Sequence, residues 1–326
     1  MLLFIALPVV SVIIQSLYVE HDKVFVEVEN CDPFSCKMEL QIDFEATKAI
    51  QESEPLGAFN GLGTYTNRNH LAVAEIAEAW RQADSLGAFV AAVGNYPFYK
   101  ALGFTLTYTF VVTPMVILLG FLIALAVNAV AKWMKGIVIF VSLLPMIITP
   151  LIGSLVLFWM IDSDGVIGSL LKFVFDDPGL SLKASPFLTW IMLMVYGVWH
   201  SSPFAFIVLY AGLQTVTHET VEAAKVDGAN RWEIVRYVVI PHLMPLVVFI
   251  SLIQLMDNFR VFEPIVGFNA EASATSLSWI IYNDLRVFGS APLFGSAAAT
   301  SVLTIIGVSI LLFPVLLRTW REHKRG

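Results

Sequence analysis

Six long apolar runs dominate the chain, at about 1–18, 103–128, 136–161, 187–213, 242–264 and 293–317. A helix of about 20 residues covers the roughly 30 Å hydrocarbon core of a bilayer, so runs of this length read as membrane spans. Helices are the expected form. An uninterrupted run satisfies its own backbone hydrogen bonds in lipid, whereas barrel strands would alternate apolar and polar residues. Composition agrees: 57% of the residues are hydrophobic, 14% are charged and mean hydropathy is +0.77, where a soluble domain carries nearer a quarter charged residues. The expected fold class is an all-α polytopic membrane protein of six spans. The 1–18 run is the shortest, contains Pro8 and lacks the basic start and small-residue cleavage site of a signal peptide, so it reads as a true first span.

Lysine and arginine set the orientation. Lys132 and Lys135 follow the second run, Lys225, Arg231 and Arg236 follow the fourth, and Arg318, Arg321, Lys324 and Arg325 follow the sixth. These three segments alternate correctly to share one side, the cytoplasm. Residues 19–102 carry thirteen acids against six basic residues and fall on the other side. An even number of spans then puts both termini in the cytoplasm. The expected division is a first span at 1–18, an outer insert at 19–102, a transmembrane domain at 103–318 and a tail at 319–326.

Within the outer insert, KVFVEVEN from Lys23 and KMELQID from Lys37 alternate apolar and polar residues, the period of a half-buried strand. Asp32-Pro33 between them is turn chemistry, which predicts a β-hairpin. Cys31 and Cys36, the two cysteines of the chain, flank the turn. They suit one disulfide in an oxidising compartment. The other reading of C-x4-C is a metal site, for which His21 is the one histidine close in sequence. From Leu71 to Ala83, apolar spacing at Val73, Ile76 and Trp80 predicts a short amphipathic helix packed on this insert.

The segment 216–241 breaks the apolar pattern. Thr217 is placed to cap a helix through Glu219, Glu222, Ala223, Ala224 and Lys225. Asp227 and Gly228 are placed to end it. Asn230 then restarts a second helix, with Glu233 completing a capping-box pair. The expectation is a helix–glycine corner–helix on the cytoplasmic face, feeding the next span at Pro241. Ala223 and Ala224 leave a small-residue surface for close approach of another protein, with Glu222 beside it to pair with a basic group. A solvated connecting loop is the plainer reading of the same charges.

This stretch resembles the motif of ATP-binding-cassette importer permeases: Glu-Ala-Ala, three residues, Gly, nine residues, Ile-x-Leu-Pro. Glu222-Ala223-Ala224, Gly228 and Pro241 stand at that spacing, with Val238 and Ile240 as conservative replacements. Asp227-Gly228-Ala229 is similar to the carbohydrate branch, GLGTY from Gly61 resembles the stretch before the second span, and PFAFIVLYAGLQTV from Pro203 resembles the maltose-type approach to the loop. VGFNAEASATS from Val266 departs from the family's usual Thr-x-Gly-Gly-Pro turn. The resemblance implies a permease subunit in a bacterial inner membrane, with no catalytic residues. It implies that 217–231 docks in a groove of a separate nucleotide-binding subunit, which would hold the ATP and magnesium. A homologous second permease, a periplasmic solute-binding protein and a carbohydrate cargo are the other partners implied. The chain has no GxxxxGK[ST] phosphate loop, and no nucleic-acid partner is expected.

Polar side chains inside spans are candidates for the cargo path. Tyr196, His200 and Phe204 recur at i, i+4 and i+8 in the fourth span, with Ser201 adjacent; Ser251, Gln254 and Asn258 recur at i, i+3 and i+7 in the fifth. An aromatic ring beside amides and hydroxyls suits a sugar. Interhelical hydrogen bonding is the competing reading. Asp257 and Arg260 read as an ion pair near the span's end. No second ligand stands in register with His200, so no metal is expected there. An importer of glycerol phosphate or a polyamine is the alternative within transporters. A lone ion-coupled carrier would leave the 222–241 motif unexplained.

Overall fold

The computed structural model describes residues 2–21, 24–32, 35–177, 179, 181–183, 185–286 and 292–323. Lys324 and Arg325, counted above for orientation, lie outside the described residues, as does Pro33 of the hairpin turn. The chain forms two compact units, one of residues 1–100 with 280–306 and one of residues 101–279 with 307–326.

In the first unit the initial apolar run forms helix Leu2–Gln15, 14 residues long and so shorter than a bilayer-crossing helix. Tyr18–Val19 pairs antiparallel with Ala58–Phe59. Gly57 permits this closure: its φ is +93° and a Cβ there would meet the Val19 carbonyl oxygen at 2.2 Å. The expected hairpin forms between Phe25–Asp32 and Ser35–Ile42. Its register sets Cys31 opposite Cys36. The side chains of both cysteines lie outside the described residues, so the disulfide stays an expectation. Helix Phe44–Ser53, which the sequence pattern did not announce, starts where Asp43 accepts a hydrogen bond from the Ala46 amide at 2.9 Å.

The expected amphipathic helix is present as Val73–Gln82, but Val73 and Trp80 are exposed. Trp80 instead meets Phe89 of the next helix, Leu86–Val93, edge to face at 5.0 Å. Residues 280–306 join this unit through polar ties. The Gly295 amide donates to Glu20 at 2.6 Å, and buried His70 reaches both the Ser296 carbonyl at 3.2 Å and the Thr300 hydroxyl at 3.1 Å. The boundary read from the sequence at residue 102 took no account of these ties.

Long apolar helices follow, of which Pro186–Leu213 and Arg231–Phe259 lie wholly within the second unit. Pro97–Ala129, Pro186–Leu213, Arg231–Phe259 and Phe294–Leu317 are each long and apolar enough to cross a membrane. The third apolar run is not the single span expected at 136–161. It is two helices, Lys132–Ile147 and Pro150–Met160, bent by 95°. Pro150 has no N–H to continue a helical ladder, and a residue before proline is pushed towards extended backbone. Thr149 accordingly sits at φ −63°, ψ 144°. Among the described residues there are therefore four spans, or five if the bent pair counts as one, against the six expected.

Close helix packing in this unit depends on glycine at two contacts between spans. A Cβ on Gly120 would lie 2.6 Å from the Ala205 Cβ and 2.8 Å from the Phe206 amide nitrogen. A Cβ on Gly197 would lie 2.1 Å from the Tyr108 hydroxyl. Around these contacts Phe104, Tyr108, Leu193, Tyr196, Phe206 and Leu209 are buried in one core. Phe104 also meets Trp190 edge to face at 4.9 Å.

Candidate functional site

The 216–241 segment folds as the residues dictate. Helix His218–Val226 begins after Thr217, whose backbone is extended as an N-cap requires but whose side chain makes no capping bond. Its hydroxyl lies 2.5 Å from that of Thr220 instead. At the other end the Ala229 amide donates to the Ala224 carbonyl at 2.9 Å and the Gly228 amide to the Lys225 carbonyl at 3.0 Å. That pair of bonds is a Schellman cap, and it needs Gly228 in the left-handed region, where its φ is +85°.

Asn230 restarts the chain. Its side-chain oxygen accepts from the Trp232 and Glu233 amides at 2.9 and 3.0 Å, while Glu233 accepts from the Asn230 amide at 2.7 Å. The capping box is complete. The second helix is not separate from the next span, however. It continues from Arg231 to Phe259 through a π-helical turn at Val235–Val239, where the Ile240 amide reaches back to the Val235 carbonyl. Pro241 explains the widening. It lacks an N–H, and its ring would crowd the Tyr237 carbonyl in a regular α-turn.

On this elbow Glu222, Ala223, Asp227 and Gly228 are exposed and Ala224 is half-buried. His218 Nδ1 lies 3.0 Å from Glu222 Oε1, so the carboxylate already has a neighbour one turn back. Two apolar side chains that the motif does not include are the most exposed here: Val226 at 87% and Trp232 at 79%. Neither belongs to an apolar period, which is why the sequence pattern passed over them.

The two polar faces of the fourth and fifth spans go to different places. Tyr196 donates to the Pro150 carbonyl at 2.8 Å, and His200 Nε2 donates to the Ile148 carbonyl at 3.0 Å. Phe204 is half-buried against the core, and Ser201 is half-buried. In the fifth span, Asn258 donates to Thr113 Oγ1 at 3.0 Å and approaches Gln254 Oε1 at 3.5 Å, and all three residues are buried. Ser251 donates back to the Val247 carbonyl at 2.7 Å. Asp257 and Arg260 form the expected ion pair at 2.9 Å.

Sequence reading missed the facing threonines. Thr105, Thr109 and Thr113 are buried at i, i+4 and i+8 along the second span. Thr105 accepts from the Leu277 amide at 3.2 Å. Their four-residue spacing within FTLTYTFVVT was the available signal. An apolar groove of about 290 Å³ lies along Pro114, Phe121, Leu243 and Val247, and another of about 590 Å³ along Val208, Gly212, Thr215 and His242. None of the residues nominated for the cargo path lines either groove. Among the described residues no group of three His, Cys, Asp or Glu side chains could hold a metal ion.

The model of the family described as binding-protein-dependent transport system inner membrane component matches residues 85–320. The chain belongs to this family. This inner membrane component is 30% identical over 232 residues to a probable ABC transporter permease protein of Sinorhizobium fredii, covering 69% of the chain and 72% of the relative. It is 26% identical over 206 residues to the trehalose/maltose transport system permease protein MalF of Thermococcus litoralis, covering 62% of the chain and 68% of the relative. Its fold is similar to a chain of a bacterial ABC transporter involved in the import of the acidic polysaccharide alginate. There the TM-score is 0.61 at 22% identity, over 86% of this chain and 97% of that one. The inner membrane component is thus a multi-pass membrane subunit of a transport system, and 216–241 and both polar faces lie within its family-matched region.

Proposed function

We propose that this chain is the permease subunit of an ATP-binding-cassette importer, moving a sugar inward by alternating access. The observation that carries the reading is the elbow: a doubly capped corner that presents Glu222, Val226 and Trp232 to solvent and runs without a break into the fifth span. A push on the first helix passes through the capped corner to the second helix, which is continuous with the span, and that is the mechanical need of a subunit driven by a separate ATPase. The ATPase docks on this face and holds the ATP and magnesium. The chain works beside a second permease, and a solute-binding protein delivers cargo at the periplasmic side, where 19–102 lies. Both termini are cytoplasmic.

A sugar cargo is supported by relatives named for trehalose, maltose and lactose transport. It is also supported by the amides and hydroxyls gathered in the spans, which can exchange their mutual bonds for bonds to sugar hydroxyls. The proposed path runs past His200, Ser201, Phe204, Ser251, Gln254 and Asn258.

The test is ATP hydrolysis by the full complex in proteoliposomes with and without its binding protein. Glu222→Arg should insert normally and lose stimulated hydrolysis. Full stimulation in that variant would remove the docking role.

A further inference from the structure

We infer that Tyr196 and His200 are positioning residues that clamp the break in the third span, and that the clamped break is a moving part of the pathway. This rests on the reading of the chain as a gated permease. Irregular backbone at membrane depth is tolerated only where protein or a polar cavity satisfies it. Ile148 and Thr149 belong to neither flanking helix, so the Ile148 carbonyl has no place in either ladder. His200 Nε2 supplies its hydrogen at 3.0 Å, and one turn earlier the Tyr196 hydroxyl reaches the Pro150 carbonyl at 2.8 Å. A carbonyl only accepts, so Nε2 carries the proton in this arrangement.

The surroundings are shaped for the same contacts. Tyr196 is 1% exposed, and a Cβ on Gly153 would come within 2.5 Å of its hydroxyl oxygen, so helix Pro150–Met160 lies directly against the ring. His200 lies 5.7 Å from the same ring. Helix Pro150–Met160 in turn rests on Glu263–Gly267, just beyond the fifth span, where a Cβ on Gly267 would meet the Ser154 hydroxyl at 2.0 Å. The break is therefore held on one side by the fourth span and on the other by the segment that follows the elbow-driven helix. Two hydrogen bonds to carbonyls can be broken and remade without unfolding either helix, which is what a gate requires.

The experiment uses the reconstituted complex and the variants His200→Phe, His200→Gln and Tyr196→Phe. The ratio of binding-protein-stimulated to unstimulated ATP hydrolysis should fall about fivefold in His200→Phe, the factor that one lost hydrogen bond gives. It should fall similarly in Tyr196→Phe and recover in His200→Gln, whose amide can donate to the same carbonyl. A wild-type ratio in His200→Phe, or no recovery in His200→Gln, overturns the clamp. A second readout does not depend on transport. Thr149 is exposed on this subunit and makes no side-chain capping bond, so Thr149→Cys, with Cys31 and Cys36 replaced by Ser, probes the break with N-ethylmaleimide, which enters both water and bilayer. Its labelling rate in the complex should change about fivefold when His200→Phe is added. Equal rates overturn the clamp whether or not the complex imports anything. Absent ATP-driven import with altered labelling would fail the permease reading and leave the clamp standing.

Discussion

Asn258 of the fifth span donates to the Thr113 hydroxyl of the second at 3.0 Å, both side chains buried. The bond joins residues 145 positions apart in sequence. It makes one polar seam of the fifth-span amides Gln254 and Asn258 and Thr113 of the second span.

The first prediction concerns that seam. Hydrogen bonds between spans average about 0.6 kcal/mol in double-mutant cycles, because the separated helices also find partners. A cycle of Asn258→Ala and Thr113→Val should return a coupling of about that size in a denaturation assay. The pair Asn258→Ala with Gln254→Ala should lower uptake more than it lowers assembly. Unchanged uptake kinetics would leave the seam a packing feature only.

Gly228 gives a graded test of the elbow. Nothing lies within 4 Å of a Cβ there, so Gly228→Ala meets no neighbour and suffers only the left-handed backbone, a cost of about 1–2 kcal/mol per residue. Gly228→Pro cannot adopt a positive φ at all and removes the amide bonded to the Lys225 carbonyl. Stimulated ATP hydrolysis should be reduced in the first variant and abolished in the second, with both proteins inserted. Wild-type activity in both would mean that the corner's geometry is irrelevant.

Buried His70 sets a pH dependence in the first unit. Burial pulls its pKa below the usual 6.5, against smaller upward pulls from the Ser296 carbonyl and from Asp284. Above 6.5 the ring is neutral folded or unfolded; as pH falls below 6.5 the unfolded state takes up a proton first, so stability is lost down to the folded pKa. Asp284, raised above 3.8 chiefly by burial, acts in the opposite sense: as pH falls the folded state takes up the proton first and regains stability. Hydrogen-exchange protection factors at amides 64–72, corrected for the intrinsic pH dependence of exchange, should therefore fall between pH 7 and pH values below 6.5, and His70→Gln should flatten that fall. A pH-independent protection pattern in the wild type would contradict the assignment.

Two glycines should respond oppositely to alanine. Gly120→Ala forces the second and fourth spans apart and should cost about 1–3 kcal/mol. Gly136 has nothing within 4 Å and sits inside a helix, so Gly136→Ala should be neutral or stabilising by about 1 kcal/mol. Detergent-denaturation midpoints of the two variants should move in opposite directions or differ by that margin.

Much of this protein was legible in one dimension because its rules are local. Span-length apolar runs, the Gly228 stop, the Asn230–Glu233 box and the alternating hairpin each need only neighbours a few residues away. The break at Thr149-Pro150 was not legible, because Pro114, Pro145, Pro203, Pro245 and Pro314 also interrupt apolar runs and stay inside unbroken helices. Other features had no local signal. The role of His200 depends on a carbonyl 52 positions away, the burial of His70 on a helix some 230 positions on, and the destination of Asn258 on a threonine in another span. Sequence periodicity says that a residue faces something. Only packing decides what it faces, because contacts between helices are made by side chains distant in the chain. The sequence by itself determined the membrane class, the capped elbow and the family motif. The tertiary structure decided that the third span is broken, that the elbow is continuous with the fifth span, and which polar groups satisfy one another, since in lipid every such group must find a partner within the protein.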